Sequence, residues 1–157
     1  METRRKFLAK SMLALGATAM ASTNVFASQA NAKAAGKISV KQNDIILFQG
    51  DSITDTGRKR EELGPNNTAA FGNGYAMIAA SCLLNKFADK NIQVFNRGIS
   101  GNRVPDLLER WDVDALQLKP TILSIHIGVN DFWRTIDRGA KNTPQQYKQQ
   151  YKELLDK

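Results

Sequence analysis

Three short segments of this chain carry side chains suited to one kind of reaction. Gly50-Asp51-Ser52-Ile53-Thr54-Asp55 offers a hydroxyl beside a glycine and a carboxylate. Asn96-Arg97-Gly98-Ile99-Ser100-Gly101-Asn102 offers glycine N–H groups, and Gly128-Val129-Asn130-Asp131 a neutral amide beside a carboxylate. A serine hydroxyl, a backbone N–H and an asparagine amide are the equipment of acyl transfer, which needs a nucleophile and preorganised donors aimed at the developing oxyanion. Glycine lets an N–H approach a reacting carbonyl without a side chain in the way, and asparagine donates without depending on its protonation state. Gly, Ser, Asn and Asp are also generic turn formers. The segments acquire meaning only from what brings them together.

Each follows an apolar run with the character of a buried strand: residues 44–49, 92–96 and 121–127. Between the runs the pattern is helical. Residues 74–90 place Met77, Ala80, Leu84 and Phe87 at helical spacing. Residues 105–119 begin with Pro105, which suits a first turn, and carry Leu107, Leu108, Trp111 and Leu118. Residues 55–73 read as a polar loop. Thr143-Pro144-Gln145-Gln146 has the form of a capping box opening a helix, with Tyr147, Tyr151, Leu154 and Leu155 along one side. The order β-α-β-α-β-α predicts an α/β fold, a parallel sheet with helices on its faces. In the flavodoxin-like strand order 2-1-3, the loop of Ser52 lies between the other two, at the carboxyl ends of the strands where open sheets gather function. Three strands with an apolar edge predict part of a domain, about two thirds of it, rather than a finished sheet.

Composition excludes several alternatives. The 157 residues are 42% hydrophobic and 24% charged, ordinary for a globular chain. A single cysteine (Cys82) excludes an internal disulfide, and with one histidine (His126) it leaves no basis for a metal site, so no cofactor or metal is expected. The net charge of +7 is partly an N-terminal effect. Residues 1–32 have a basic start, a weakly apolar stretch from Ser11 to Ala21 and small residues ending at Ala30-Asn31-Ala32, the layout of an export signal. Val25-Phe26-Ala27 is a second candidate cleavage site. Thr3-Arg4-Arg5-Lys6-Phe7-Leu8 is similar to the twin-arginine signal, which implies passage through the twin-arginine export machinery to the periplasm or the medium. The apolar stretch is too short to span a bilayer, and no cysteine lies near the cleavage region, so no permanent membrane anchor is expected. Residues 33–157 retain 18 Lys+Arg against 14 Asp+Glu, scattered apart from Arg58-Lys59-Arg60, and form no stripe for nucleic acid.

With the blocks in place, Ile46 to Asp55 resembles the first block of the GDSL-type, or SGNH, hydrolases, and the segments around Gly101 and Gly128-Val129-Asn130-Asp131 resemble their second and third blocks. The resemblance spans roughly residues 44–135, with isoleucine at 53 where the family name has leucine. It implies the three-layer α/β/α SGNH hydrolase fold, of which the N-terminal part is present. It also implies Ser52 as nucleophile, with an oxyanion hole of the N–H groups of Ser52 and Gly101 and the amide of Asn130. Asp51 and Asp131 would shape their loops. The phrasing of the first two blocks is similar to members that deacetylate plant polysaccharides or their oligosaccharides, which implies a small-molecule or oligosaccharide ester substrate. Lipid or thioester substrates are the alternative within the enzyme class, and a noncatalytic, carbohydrate-binding or inactive relative the alternative outside it. The family's histidine and aspartate lie in an Asp-x-x-His block near the end of the domain, and this sequence contains no such block. His126, inside an apolar strand, is expected to be partly buried rather than to act as a base.

The remaining candidates have plain readings. Asp112 and Asp114 are expected to lie on a solvated helix surface, two residues apart and therefore on different faces. Asp55 and Asp131 have the option of capping helices, and Arg97 and Arg103 that of being solvated loop charges. Cys82 is expected to be a small buried apolar residue. Asn66-Asn67-Thr68 matches a glycosylation acceptor that a bacterial-type export signal makes irrelevant, and Gly72-Asn73-Gly74 lacks the spacing of a dinucleotide-binding loop.

Overall fold

A computed structural model describes residues 38–157, which form one compact unit from Ser39 onward. Residues 1–32, with the export signal read in them, lie outside the described residues. Three parallel strands form the sheet: β1 (Ile45–Gly50), β2 (Gln93–Asn96) and β3 (Ile122–His126), in the order β2-β1-β3. Ile46 pairs with Val94 on one side and with Ile122 on the other, and Gly50 pairs with His126. The central strand is buried along nearly its whole length because it has a neighbour on each edge and a helix layer on each face. At the sheet edge β3 is only half-buried, and Leu123 remains 38% exposed.

The predicted helices are present with shifted ends. Residues 75–86 form α3 (Tyr75–Lys86), followed by a 3-10 turn, and residues 104–114 form α4 (Val104–Asp114), followed by another. Inside the stretch read as loop lie two single-turn helices, α1 (Ser52–Asp55) and α2 (Thr68–Phe71). Each is started by an acceptor side chain: Asp51 takes the Ile53 N–H at 3.0 Å and Asn67 the Ala69 N–H at 2.9 Å. One further helix, α5 (Val129–Asp137), begins in residues whose composition reads as a loop block. The signal was available, since Val129, Phe132, Trp133 and Ile136 repeat at i, i+3, i+4 and i+7. That stripe faces outward, with Phe132 65% and Trp133 56% exposed. The last helix, α6 (Pro144–Asp156), opens with the predicted box: Thr143 Oγ1 accepts from the Gln146 N–H at 3.2 Å, and Gln146 Oε1 from the Thr143 N–H at 2.9 Å.

Right-handed crossovers put α3 and α4 on opposite faces of the sheet. Alternate residues of the strands serve the two layers. Ile46, Phe48 and Val94 pack with Ala76 and Ala80 of α3, while Leu47 and Phe95 pack with Leu107 and Trp111 of α4 and Leu154 of α6. The apolar side of α6 therefore finds its partner in α4. Two expectations of burial fail. Cys82 is exposed, because the covered side of α3 is centred on Ala76 and Ala80 and position 82 falls about 200° around the helix from Ala80. His126 is exposed rather than partly buried, since β3 is an edge strand among the described residues.

Candidate active site

The three chemical segments leave the carboxyl ends of adjacent strands and touch one another. Gly50 ends β1 where no larger residue fits: a Cβ there would lie 2.3 Å from Thr54 Oγ1 and 2.4 Å from the His126 carbonyl oxygen. At Gly98, a Cβ would meet the Asp55 nitrogen at 2.6 Å. These contacts bring the loop after β1 against both neighbours. Ser52 is exposed at the first position of α1, and Asp51 beneath it is 1% exposed with its second carboxylate oxygen unpartnered among the described residues.

Asn96, fully buried at the end of β2, clasps the first two segments. Its amide donates to the carbonyls of Thr54 (2.8 Å) and Phe71 (2.9 Å), and its Oδ1 accepts the Gly98 N–H (2.9 Å). Ile99 N–H donates to the Gly50 carbonyl at 3.0 Å. Asp55 does not act as a helix cap: its Oδ2 accepts both the N–H (2.8 Å) and the hydroxyl (2.7 Å) of Ser100 and pairs with the Arg60 guanidinium. Burial opposes ionisation of Asp55, but the hydrogen bonds from Arg60 and Ser100 outweigh it and hold its carboxyl below the ordinary carboxylate range.

The third segment locks onto the second. Asn130 donates from Nδ2 to the Asn102 carbonyl at 2.9 Å, and Arg134, one turn along α5, donates from Nη2 to the Gly101 carbonyl at 2.8 Å. Asp131 is buried, with its two oxygens 3.2 and 3.3 Å from the Val104 nitrogen at the start of α4. Desolvation dominates there, and although the Val104 N–H favours the carboxylate, the Asp131 carboxyl is pushed above its ordinary value. Among the described residues no protein group accepts from the N–H of Ser52 or of Gly101, and Asn130 has a second amide hydrogen left over. Donors left free on these adjoining segments are of the kind that can hold a negative oxygen.

His126 packs edge-on against Tyr75, with ring centroids 5.8 Å apart, and the Tyr75 hydroxyl lies 3.0 Å from Thr54 Oγ1. Among the described residues no group of three His, Cys, Asp or Glu side chains converges as metal ligands, and no helix is long and apolar enough to cross a membrane. An apolar cavity of about 480 Å³ lies beside the site between α5 and α6, bounded by Gly128, Phe132, Pro144 and Tyr147, and does not include Ser52.

The charges on the loops depart from the solvated reading. Arg97 is 5% exposed, lies over the Phe95 ring at 5.5 Å and donates to the Leu63 carbonyl at 2.8 Å. Asp114 is half-buried and ion-paired with Arg110, so the Asp112–Asp114 stretch is not uniformly solvated. Arg103 pairs with Asp106 at 3.0 Å. The sequence reading missed the roles of Asn96, Arg58 and Arg134, which carry no local signature.

Known proteins are similar to this chain in sequence and fold. The GDSL-like lipase/acylhydrolase family matches residues 48–157. An acetylxylan esterase of Geobacillus stearothermophilus is 42% identical over 110 residues, which are 70% of this chain and 50% of that protein. A crystal structure of a protein from Parabacteroides merdae assigned as a GDSL-like lipase aligns with a TM-score of 0.74 and 47% identity, covering 76% of this chain and 55% of that one. The solved acetylxylan esterase of Geobacillus stearothermophilus aligns with a TM-score of 0.69 and 36% identity, covering 75% and 55%. Variants of that enzyme described as catalytic mutants alter a serine, an aspartate and a histidine. The chain thus spans about half the length of the relatives it matches. By sequence over residues 48–157 and by fold, it belongs to the GDSL-like lipase/acylhydrolase family.

Proposed function

We propose that this chain carries the nucleophile and the oxyanion-binding half of a serine ester hydrolase that removes acetyl groups from carbohydrate. The observation that carries the reading is an exposed Ser52 hydroxyl with donors left unspent on its own and the adjoining segments: the N–H groups of Ser52 and Gly101 and the second amide hydrogen of Asn130. In this reaction Ser52 Oγ bonds to the ester carbonyl carbon, and the carbonyl electron pair moves onto oxygen, where the three donors hold it. Collapse breaks the ester C–O bond, the sugar hydroxyl leaves with a proton, and water hydrolyses the acyl-serine. The proton of Ser52 needs a base within about 2.6–3.2 Å, directly or through one water. Here that base comes from the half of the relatives' length that the chain does not span, as the histidine and aspartate of the Geobacillus enzyme suggest. The acetylated carbohydrate substrate is supported by the acetylxylan esterase relative. Residues 1–32 serve as a twin-arginine export signal in the same proposal, placing the enzyme in the periplasm or outside the cell.

The test is hydrolysis of p-nitrophenyl acetate and acetate release from acetylated xylo-oligosaccharides by the protein at the length of its relatives. Ser52→Ala abolishes both, and Asn130→Ala stays folded and loses on the order of 10²–10³ in rate. Wild-type rates in Ser52→Ala would mean a different nucleophile, and preference for long-chain or thioester substrates would replace the carbohydrate by a lipid or thioester. Residues 33–157 alone show no turnover above their Ser52→Ala control. Replacement of Arg4 and Arg5 by lysine leaves the precursor in the cytoplasm, and unchanged export would send the chain to the general secretory route.

A further inference from the structure

The loop from Arg97 to Asn102 has an unusual hydrogen-bond pattern. The carbonyls of Arg97 and Gly98 accept from Arg110 Nη1 (2.9 Å) and Arg58 Nε (2.7 Å). Gly101 and Asn102 carbonyls accept from Arg134 and Asn130. The N–H groups of Arg97, Gly98, Ile99, Ser100 and Asn102 are all taken, by Phe48 O, Asn96 Oδ1, Gly50 O, Asp55 Oδ2 and Ile99 O. The peptide between Ser100 and Gly101 is the exception: among the described residues neither its C=O nor its N–H engages a protein group. A peptide without partners can turn as a unit through the dihedrals on either side, and a flanking glycine admits both signs of φ. Gly101 sits at φ +85°, so the direction of its N–H is decided by the anchors that flank the free peptide. On one side Ser100 is held by Asp55 through two hydrogen bonds. On the other, the Gly101 carbonyl is held by Arg134.

We propose that Arg134 is a positioning residue which, by holding the Gly101 carbonyl against the Asp55–Ser100 anchor, aims the Gly101 N–H at the oxygen that becomes negative during ester cleavage. The proposal rests on the serine-hydrolase reading for what the N–H does, and on the hydrogen bonds alone for how it is aimed. The side chain suits the task. Arg134 shares a face of α5 with Asn130, one turn away, so a single helix holds both the side-chain donor and the support of the backbone donor. Its Nη2 also lies 3.9 Å from where a Cβ on Gly101 would be, close beside the peptide it steadies.

The test has a structural and a kinetic arm. In the ¹⁵N-labelled chain, the three-bond N–H to Hα couplings of Gly101 report its φ. Arg134→Met moves them toward a conformational average, and Arg134→Lys, which keeps a charged donor of similar reach, restores them. Wild-type couplings in Arg134→Met overturn the proposal. In the protein at the length of its relatives, Arg134→Met lowers kcat for p-nitrophenyl acetate about 10²-fold, the scale of loss from an ångström-size misplacement. KM and the melting temperature hold, because an oxyanion donor acts mainly in the transition state, and Arg134→Lys recovers to within about tenfold. A loss that follows the melting temperature and is not rescued by lysine reveals a merely structural residue and overturns the proposal. So does an unchanged kcat when Ser52→Ala is dead. If Ser52→Ala is as active as wild type, the serine-hydrolase reading itself has failed and the N–H has no oxyanion to meet, whatever the couplings show.

Discussion

Asn96 is the place where one side chain holds two loops of the site, and its removal is a quantitative test of the architecture. The side chain is fully buried and makes three hydrogen bonds, to the carbonyls of Thr54 and Phe71 and from the N–H of Gly98. Asn96→Ala leaves those three backbone groups without their partner in a space that water does not fill easily. A buried group left unsatisfied costs about 1–3 kcal/mol, so three put the loss at about 3–9 kcal/mol, a large share of the ~5–15 kcal/mol that stabilises a small domain. Urea unfolding followed through the two tryptophans reads this as a fall in midpoint at unchanged slope. Asn96→Asp is the sharper variant. It keeps the shape and the acceptor for Gly98 but turns an oxygen toward two carbonyls, so the introduced carboxyl is stable only when protonated and its folded pKa rises above the unfolded value of about 3.9. With a raised folded pKa, stability is full below the unfolded pKa and is lost as pH rises through the folded one. Asn96→Asp is therefore most stable in acid, where its single O–H serves one of the two carbonyls, and falls away toward neutrality. A loss below about 1 kcal/mol for Asn96→Ala, or an Asn96→Asp variant indifferent to pH, would refute the clasp.

The native carboxylates give further pH tests. Asp131 has a folded pKa raised by burial, so its contribution is present in acid and lost as pH rises; Asp131→Asn, which can still accept from Val104, flattens the pH dependence of the urea midpoint above the ordinary carboxylate range. Asp55 has the opposite sign: its pKa is lowered, so its contribution is present above the unfolded value and is lost as pH falls through the folded one, and Asp55→Asn removes that acid limb from the same titration. Leu154, 1% exposed between α6 and the Leu107–Trp111 layer, anchors the last helix, and Leu154→Ala costs about 2–5 kcal/mol by urea unfolding. Cys82 is exposed and titrates fully with a thiol reagent in the native state, where a buried thiol would wait for unfolding.

Much of the frame was legible without coordinates. Apolar runs predicted all three strands to within one residue at each end, and the central one is apolar because it is buried on both faces. Thr143 and Gln146 predicted their own reciprocal cap, because the two partners are only three residues apart. The segments holding Ser52, Gly101 and Asn130 were visible as glycine-rich blocks after strands, and the alternating pattern implied the parallel sheet that sets them side by side. Helix α5 escaped although its apolar repeat was present, since its first residues doubled as the chemical block.

What only the tertiary structure decided is which groups are spent and which are free. Asn96 reaches Thr54 across 42 positions of sequence, Ser100 reaches Asp55 across 45, and Arg134 reaches Gly101 across 33. Nothing in the local pattern of an arginine on a short helix distinguishes a solvated charge from the support of a loop. The same holds for Arg97, which reads as a loop charge and is buried, and for His126, which reads as partly buried and is exposed. Periodicity reports the side of an element that faces the core, because that depends on neighbours three or four residues away. The hydrogen-bond partner of a carbonyl in a loop depends on which strands pair and in what order, and that is settled only when the sheet closes around β1.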